Sequence, residues 1–403
     1  MAEGILIVSG GILQIPALEK ARTLGLTTYL TDESDQCKAR AHADHFFKID
    51  IRDLDGHAKL AKQLVAENKI SAVYTQGADV EYTVAFAAQA AGLPGLSVEA
   101  ALNCHNKLRT RTVLHAAKID QTPFAAVRSY EDLENAIKKI GFPSYLKPLD
   151  NSASRGLTRL TKGTPLRAAY DRAVAGSVYT KDLILEAEIE GHEYSVDSVV
   201  VDDVLYPAGV SDRQFLKKNK YAVQSGSTTP SLLPQKTQDE MYALMGRAAK
   251  ALGVSTGAFK GDLVVTPQSE VRIIELAGRT SGGFDSQYRK PYSYGIDILK
   301  ITMDLARGVR ANLDDLKPKW TKWSRTFSVF PEPGVVKSIE GLDEILRLPG
   351  IRNAFILVKP GDKIAPTSDC AERTNHIIIS ADSLDELNGL QNRVTETLRI
   401  ITC

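Results

Sequence analysis

The sequence predicts an α/β fold at its start that becomes α+β, in more than one domain, and three observations predict it. Strand and helix patterns alternate over the first ninety-odd residues, which is the signature of a parallel sheet. After about Asn103, apolar runs follow one another with turn residues instead of helices between them, which reads as antiparallel pairing. At 403 residues the chain also exceeds what one ordinary core holds, so two or three domains are expected.

In order, Ile5-Leu6-Ile7-Val8 is a short apolar strand closed by Gly10-Gly11, and Ile15 to Leu24-Gly25 has helical character. A strand at Thr27 to Leu30 follows, then a helix from about Leu54 to Asn68, a strand Ala72-Val73-Tyr74-Thr75 and an alanine-rich helix Val80 to Ala91. Ligands of such sheets bind at the carboxyl ends of the strands, which nominates Gly10, Gly11, Gln14, Asp32, Gly77 and Asp79. The turn Gly10-Gly11-Ile12-Leu13-Gln14 lacks the third glycine of a dinucleotide fingerprint, so these residues line a substrate pocket or simply shape turns. Asp32 suits a ribose hydroxyl or a cap equally.

Asn106-Lys107 opens a helix up to about Ala117, with a domain boundary near its start. Strand Ser144-Tyr145-Leu146-Lys147 ends at Pro148, and the polar stretch 150–156 leads to a strand at Leu157 to Leu160, making a hairpin with a flexible tip. Leu183 to Glu186 and Tyr194 to Val200 continue as strands. Beyond Val309, with Pro318, Pro331 and Pro333 marking the passage, short strands and helices form a third, smaller unit.

The most informative segment runs from Gly261 to Arg279. Two β-rich runs flank Pro267-Gln268-Ser269-Glu270, as in a hairpin with a four-residue connection. If Thr266 pairs with Val271, Asp262 falls opposite Glu275. Like charges so placed destabilise a sheet unless a cation offsets them. Carboxylates are the hard ligands that Mg²⁺ takes, one or two from protein and the rest from water and phosphates. The plain alternative is an acid at a strand end in water.

Fifty basic residues against forty-nine acidic ones leave a formal charge of +1, so no global field favours nucleic acid or an anionic membrane. Cys37, Cys104, Cys370 and Cys403 have neither metal-ligand spacing nor a paired framework. With no signal-peptide pattern or run of transmembrane length, a cytoplasmic protein is expected.

Taken in order, Lys107, Lys147, the 151–156 loop, Glu186, Glu193, Asp262, Glu275 and Arg279 make the chain resemble an ATP-grasp ligase along nearly its whole length. The resemblance implies a pre-ATP-grasp α/β domain over 1–105, an ATP-grasp core of two α+β lobes over 106–308 hinged near 186–190, and a small α+β lid domain over 309–403. It assigns Lys107 and Lys147 to ATP phosphates, where lysine acts as a point charge. The loop, through Ser152, Ser154 and Gly156, would close over those phosphates, although the family's loop is usually richer in glycine. Adenine would lie against Glu186, Ala187 and Ile189, with Glu193 accepting from ribose. Asp262 and Glu275 match the metal positions, while the usual Glu-x-Asn-x-Arg stands here as Glu275-Leu276-Ala277-Gly278-Arg279. Two Mg²⁺ are implied, with Mn²⁺ an alternative, the second ion having one protein ligand fewer.

Arg279 and Lys147 would be catalytic, and Arg279, Ser281, Gly282 and Arg213 would border substrate together with the strand-end residues above. As an alternative, Arg279 would merely pair Glu275. Leu357-Val358-Lys359-Pro360-Gly361-Asp362-Lys363 resembles the lid segment of amino-acid-ligating members. The resemblance therefore implies an ADP-forming carboxylate–amine ligase that works through an acyl phosphate on small-molecule substrates, with a homodimer through the first domain. A bicarbonate-activating ligase and a non-catalytic nucleotide-binding protein are the alternatives.

Overall fold

Four parallel strands form the N-terminal sheet, in the order His45–Lys48, Thr27–Asp32, Gly4–Val8, Ala72–Tyr74. The computed structural model describes residues 4–151, 154–178, 180–216, 223–368 and 370–403. Ile5 and Ile7 pack into one core with Leu18 and Ala21, whereas Leu6 and Val8 pack into another with Leu60 and Leu64. A strand covered on both faces has to be apolar throughout, which is why Ile5–Val8 does not alternate. Helices Ile15–Thr23, Leu54–Ala66 and Glu81–Ala90 match expectation, while strand His45–Lys48 and helix Val98–His105 lie where the sequence reading placed no element.

A second sheet of four antiparallel strands follows, ordered Phe124–Val127, Leu183–Ala187, Ser144–Pro148, Thr158–Leu160. Helices Tyr130–Ile140 and Leu166–Ala175 pack on it through Leu133, Ala136, Ala169 and Ala173. The chain leaves this sheet at Ala187 and enters another at His192, so residues 188–191 join the two.

That third sheet has eight strands, ordered Val271–Ala277, Gly257–Val265, His192–Val201, Val204–Phe215, Gln224–Thr229, Trp323–Phe327, Asn375–Ala381, Ile351–Ile356. Helix Gln235–Leu252 covers it with Met241, Leu244, Met245, Ala248 and Leu252, a stripe at helical spacing set against Val196, Val210, Phe259 and Ile273. Of the C-terminal strands, Trp323–Phe327, Asn375–Ala381 and Ile351–Ile356 extend this sheet, whereas Lys363–Ile364, Gly334–Glu340 and Arg399–Thr402 form a separate three-stranded one. Gln224–Thr229 would otherwise be a bare edge, and pairing with Trp323–Phe327 satisfies its backbone groups. Among the described residues, no helix is long and apolar enough to cross a membrane.

Candidate functional site

The hairpin Gly257–Val265 with Val271–Ala277 places Asp262 opposite Glu275, by a route different from the expected one. Val265, not Thr266, pairs with Val271, and the connection is residues 266–270, closed by Thr266 N–H donating to the Glu270 carbonyl at 2.9 Å. That register alone would set Asp262 against Ile274. A bulge intervenes: Leu263 pairs with Ile273, Ile274 has no partner, and Asp262 then meets Glu275. One residue of slip moves every side chain to the other face, and one bulged residue reverses it. The released Ile274 carbonyl accepts from Arg111 Nη2 at 3.0 Å.

Three cations serve the two acids. Lys260, two residues before Asp262 and therefore on the same strand face, donates to it at 2.7 Å, and Arg213 approaches to 3.3 Å. Lys107 lies 3.3 Å from Glu275 and donates to the Asn151 carbonyl at 2.7 Å. Burial alone would raise the Asp262 carboxyl, but Arg213 and Lys260 outweigh it and bring it down to about 2. Glu275 follows the same balance, with burial opposed by Lys107 and Lys260 and the net direction downward. Both are carboxylates at neutral pH. Arg213, expected near substrate, is tied to the acids, with a 2.7 Å bond to Glu193, and borders the larger of the two openings of the site. Burial raises the Glu193 carboxyl against the pull of Arg213.

Lys147 leaves its strand toward the cleft because Ser144, Leu146 and Pro148 take the buried positions of the alternation. Its ammonium lies 2.5 Å from Glu186 Oε2, a diagonal neighbour on the adjoining strand Leu183–Ala187. Glu186 also receives Arg111 Nε at 3.0 Å, Arg111 reaches Asp120 at 3.4 Å, and Asp120 reaches Arg272 at 3.4 Å. This alternating chain ties the small antiparallel sheet to the eight-stranded one. The Glu186 side chain is therefore committed to Lys147 and Arg111, while Glu186 still borders the cleft, whose hinge wall continues in Ala187, Glu188, Ile189 and Glu190.

Burial raises the Glu186 carboxyl, and Arg111 with Lys147 more than reverses this, lowering it from 4.5 to about 2. A depressed carboxyl stabilises the fold above its unfolded value and loses that contribution as pH falls through its folded one. The stability gap between the protein and a Glu186→Gln variant is therefore expected to shrink as pH falls from 4.5 to about 2. Urea midpoints across that window measure it, and a gap that stays constant would count against the ionised chain.

In the loop after Lys147, Ser152 lies outside the described residues. Ser154 and Arg155 border the cleft, Ser154 with φ of 65°. Gly156 is buried away from it, where an added Cβ would stand 2.8 Å from Pro148 Cγ. It shapes the turn rather than a phosphate cradle.

The strand-end residues divide. Gly10 gives its N–H to Asp32 Oδ2 at 2.7 Å, and Asp32 also accepts from Ser34 N–H at 2.9 Å, so Asp32 is a turn cap. Gly10 is packed so closely on Cys37 that a Cβ there would overlap its sulfur at 2.3 Å, and Gly11 lies open on the surface. Gln14 is spent on Gln76, donating to its carbonyl at 2.7 Å and accepting from its N–H at 3.0 Å. Gly10, Gly11, Gln14 and Asp32 do not border the clefts, where Ile12 and Leu13 stand instead. Gly77 and Asp79 do. A Cβ on Gly77 would come within 2.9 Å of Gly282 Cα, and Asp79 accepts from Arg279 Nε at 2.8 Å. Arg279 is thus paired with Asp79 and not with Glu275. Ser281 donates to Asp197 at 2.5 Å, and both Ser281 and Gly282 border the second cleft.

Two connected openings result. One of about 320 Å³ lies between the sheets, bordered by Lys107, Lys147, the 187–190 wall, Glu193, Asp262 and Glu275. The other, about 420 Å³, shares Asp262, Glu275 and Arg213 with it and runs on past Arg279, Ser281 and Gly282 toward Leu357 of the expected lid segment. Among the described residues, no group of three or more potential ligands surrounds one point. Asp262 and Glu275, ionised and facing each other, nonetheless fit a hard cation that completes its shell with phosphate and water. Ala277 offers no ligand, and the residue opposite it is Lys260.

Sequence reasoning missed Arg111, Asp120 and Lys260. Arg111 had a signal, since it follows Lys107 by four on one helix and so shares its face; Lys260 had the two-residue strand spacing to Asp262. Asp120 had none.

Comparison with known proteins places the description "ATP-grasp domain" on residues 140–287, "ATP-grasp N-terminal domain" on 18–95 and "L-amino acid ligase C-terminal domain 2" on 326–402. A D-alanine–D-alanine ligase of Aromatoleum aromaticum is 26% identical over 222 residues, spanning 54% of this chain and 70% of that one. The structure superposes on an L-amino acid ligase from Bacillus licheniformis over all of both chains, at TM-score 0.86 and 19% identity. It also superposes on the biotin carboxylase domain of a Hydrogenobacter thermophilus 2-oxoglutarate carboxylase, crystallised with MgADP, over 100% of this chain and 91% of that one, at TM-score 0.75 and 19% identity.

Proposed function

We propose, from the premise that the chain belongs to the amino-acid ligase branch of the ATP-grasp superfamily, that it joins an amino acid or other small carboxylate to an amine, consuming ATP and releasing ADP. The observation that carries this reading is the opposition of two ionised carboxylates, Asp262 and Glu275, in a cleft that also presents Lys107 and Lys147. A core domain over 106–308 between a first domain over 1–105 and a lid over 309–403 belongs to the same proposal, as does a dimer through the first domain.

ATP would lie in the smaller opening, its base along the 187–190 wall and its phosphates toward Lys107 and Lys147. Asp262 and Glu275 would hold Mg²⁺, which when bound supplies charge neutralisation for the transferred phosphoryl group. Lys147 is held in place by Glu186, so its ammonium is oriented before nucleotide arrives. The substrate carboxylate attacks the γ-phosphate, and the amine then displaces phosphate from the acyl phosphate. Arg279, held by Asp79 and bordering the larger opening, would offer its remaining guanidinium N–H groups to an oxyanion or carboxylate there. No side chain need act as a covalent nucleophile. Water must be kept from the acyl phosphate, which fits a site enclosed between two sheets.

ADP release from MgATP with paired acids and amines tests the proposal. Release that requires both an acid and an amine supports it; release with bicarbonate in place of the acid supports the carboxylating alternative, whose fold is shared. Tight ATP binding with no turnover across a broad set would instead support a binding protein.

A further inference from the structure

Arg289 is fully buried, at 0% exposure, yet borders the larger opening. Among the described residues, its Nε and Nη1 atoms have no hydrogen-bond partner. Its Nη2 meets Asp285, one turn earlier, in a close ion pair, which leaves Nε and Nη1 for another acceptor. Its cationic neighbours are provided for. Lys290 donates to the Gly209 carbonyl at 2.8 Å and to Ser211 at 2.6 Å, with Asp197 at 3.4 Å, and Arg325 is bonded to Thr228, Asn388 and Gln391.

The backbone sets Arg289 there through a single wide π turn, Asp285–Arg289, entered by Phe284 in the left-handed region at φ 64°. Such turns recur at functional sites. Arg373 and His376 border the same opening, and among the described residues Arg373 Nε and His376 Nδ1 are buried without a hydrogen-bond partner.

A buried guanidinium with idle donors is costly unless a ligand completes it, and its planar fork matches the two oxygens of a carboxylate. We propose that Arg289, with Arg373 bordering the same opening, binds a substrate carboxylate that does not react. At least one of the two joined molecules would then carry a free carboxylate besides the reacting one. This rests on the ligase reading above, and its two sources are the amine partner's own carboxylate, as in an amino acid, or a second carboxylate on the acid.

The test uses the full chain with MgATP and the best acid–amine pair, following ADP release. One arm replaces the amine partner by its carboxamide; the other replaces the second carboxylate of the acid by an amide. Wild type is expected to lose at least about 100-fold in kcat/KM in one arm, because a site built for a polar group rejects the analogue that lacks it. In Arg289→Met the loss falls on the unmasked substrate, and the masked and unmasked forms become equivalent, with the KM for ATP unchanged. If Arg289→Met does not fold, Arg289→Lys and Arg373→Gln are read by the same ratio. Wild-type activity indifferent to masking in both arms overturns the carboxylate site and leaves the ligase intact. If no pair releases ADP, the ligase reading fails by itself. Calorimetry with free amino acids and their amides, on wild type and Arg289→Lys, then decides the site, and equal binding of the two forms overturns it.

Discussion

Glu275→Gln is expected to reduce turnover by at least about 100-fold, roughly 3 kcal/mol of transition-state stabilisation, while leaving the thermal midpoint nearly unchanged. Glutamine keeps the shape and removes the charge. Glu275 is 39% exposed at its side chain and Lys107 18%, so water reaches both, and the lysine still has the Asn151 carbonyl. The loss should therefore appear in ADP release and in the Mg²⁺ dependence, and not in stability. A variant that turns over like wild type would remove the metal role from the hairpin.

Arg111→Met should act in the opposite way, through stability first. Arg111 is 4% exposed and stands between Glu186 and Asp120, themselves 4% and 5% exposed. Removing one member of a buried ion network leaves its partners uncompensated, which typically costs 3–5 kcal/mol. Lys147 still serves Glu186 and Arg272 still serves Asp120, so about 3 kcal/mol is expected, read as a lower urea midpoint. The same substitution frees the Ile274 carbonyl and one side of Glu186, so Lys147 is held less firmly and the KM for ATP should rise. An unfolding midpoint equal to wild type would show that the chain of charges does not brace the two sheets.

Where local pattern and tertiary demand agree, the fold was legible. Ile5–Val8 reads as a buried parallel strand because both its faces are covered, and Asn106 announces its helix by capping the N–H groups of Leu108 and Arg109 at 3.1 Å each. His45–Lys48 was not legible, since it is a four-residue edge strand with exposed ends and no alternation. The hairpin shows the limit of register reasoning. A turn one residue longer than expected and an unforeseen bulge cancel, so Asp262 still meets Glu275 although the pairing nearer the turn is shifted. The ion chain was hidden for another reason. Asp120 and Arg272 are 152 residues apart, and no local periodicity carries information over that distance. Gln14 misled in the same manner, its distant partner Gln76 being one that a polar residue at a strand end does not reveal, and the Asp79 partner of Arg279 was equally out of sight.

The eight-stranded sheet has a consequence for how such an enzyme can be altered. Leu357, Arg373 and His376 from the C-terminal part and Asp262, Arg279 and Arg289 from the core wall one opening while riding on, or packed against, one uninterrupted sheet. The wall proposed for the nucleotide begins on a separate sheet, joined through residues 188–191 and the Glu186–Arg111 contact. The two sheets are thus separate frames that meet at the Glu186–Arg111–Asp120–Arg272 chain and at Asp262 and Glu275, which border both openings. Loop grafts that retune which molecules are joined have to respect the frame of the large sheet, and an exchanged small sheet has to keep Lys147 and Glu186 in register with Arg111 of the neighbouring helix and with Glu193, Asp262 and Glu275 of the large sheet.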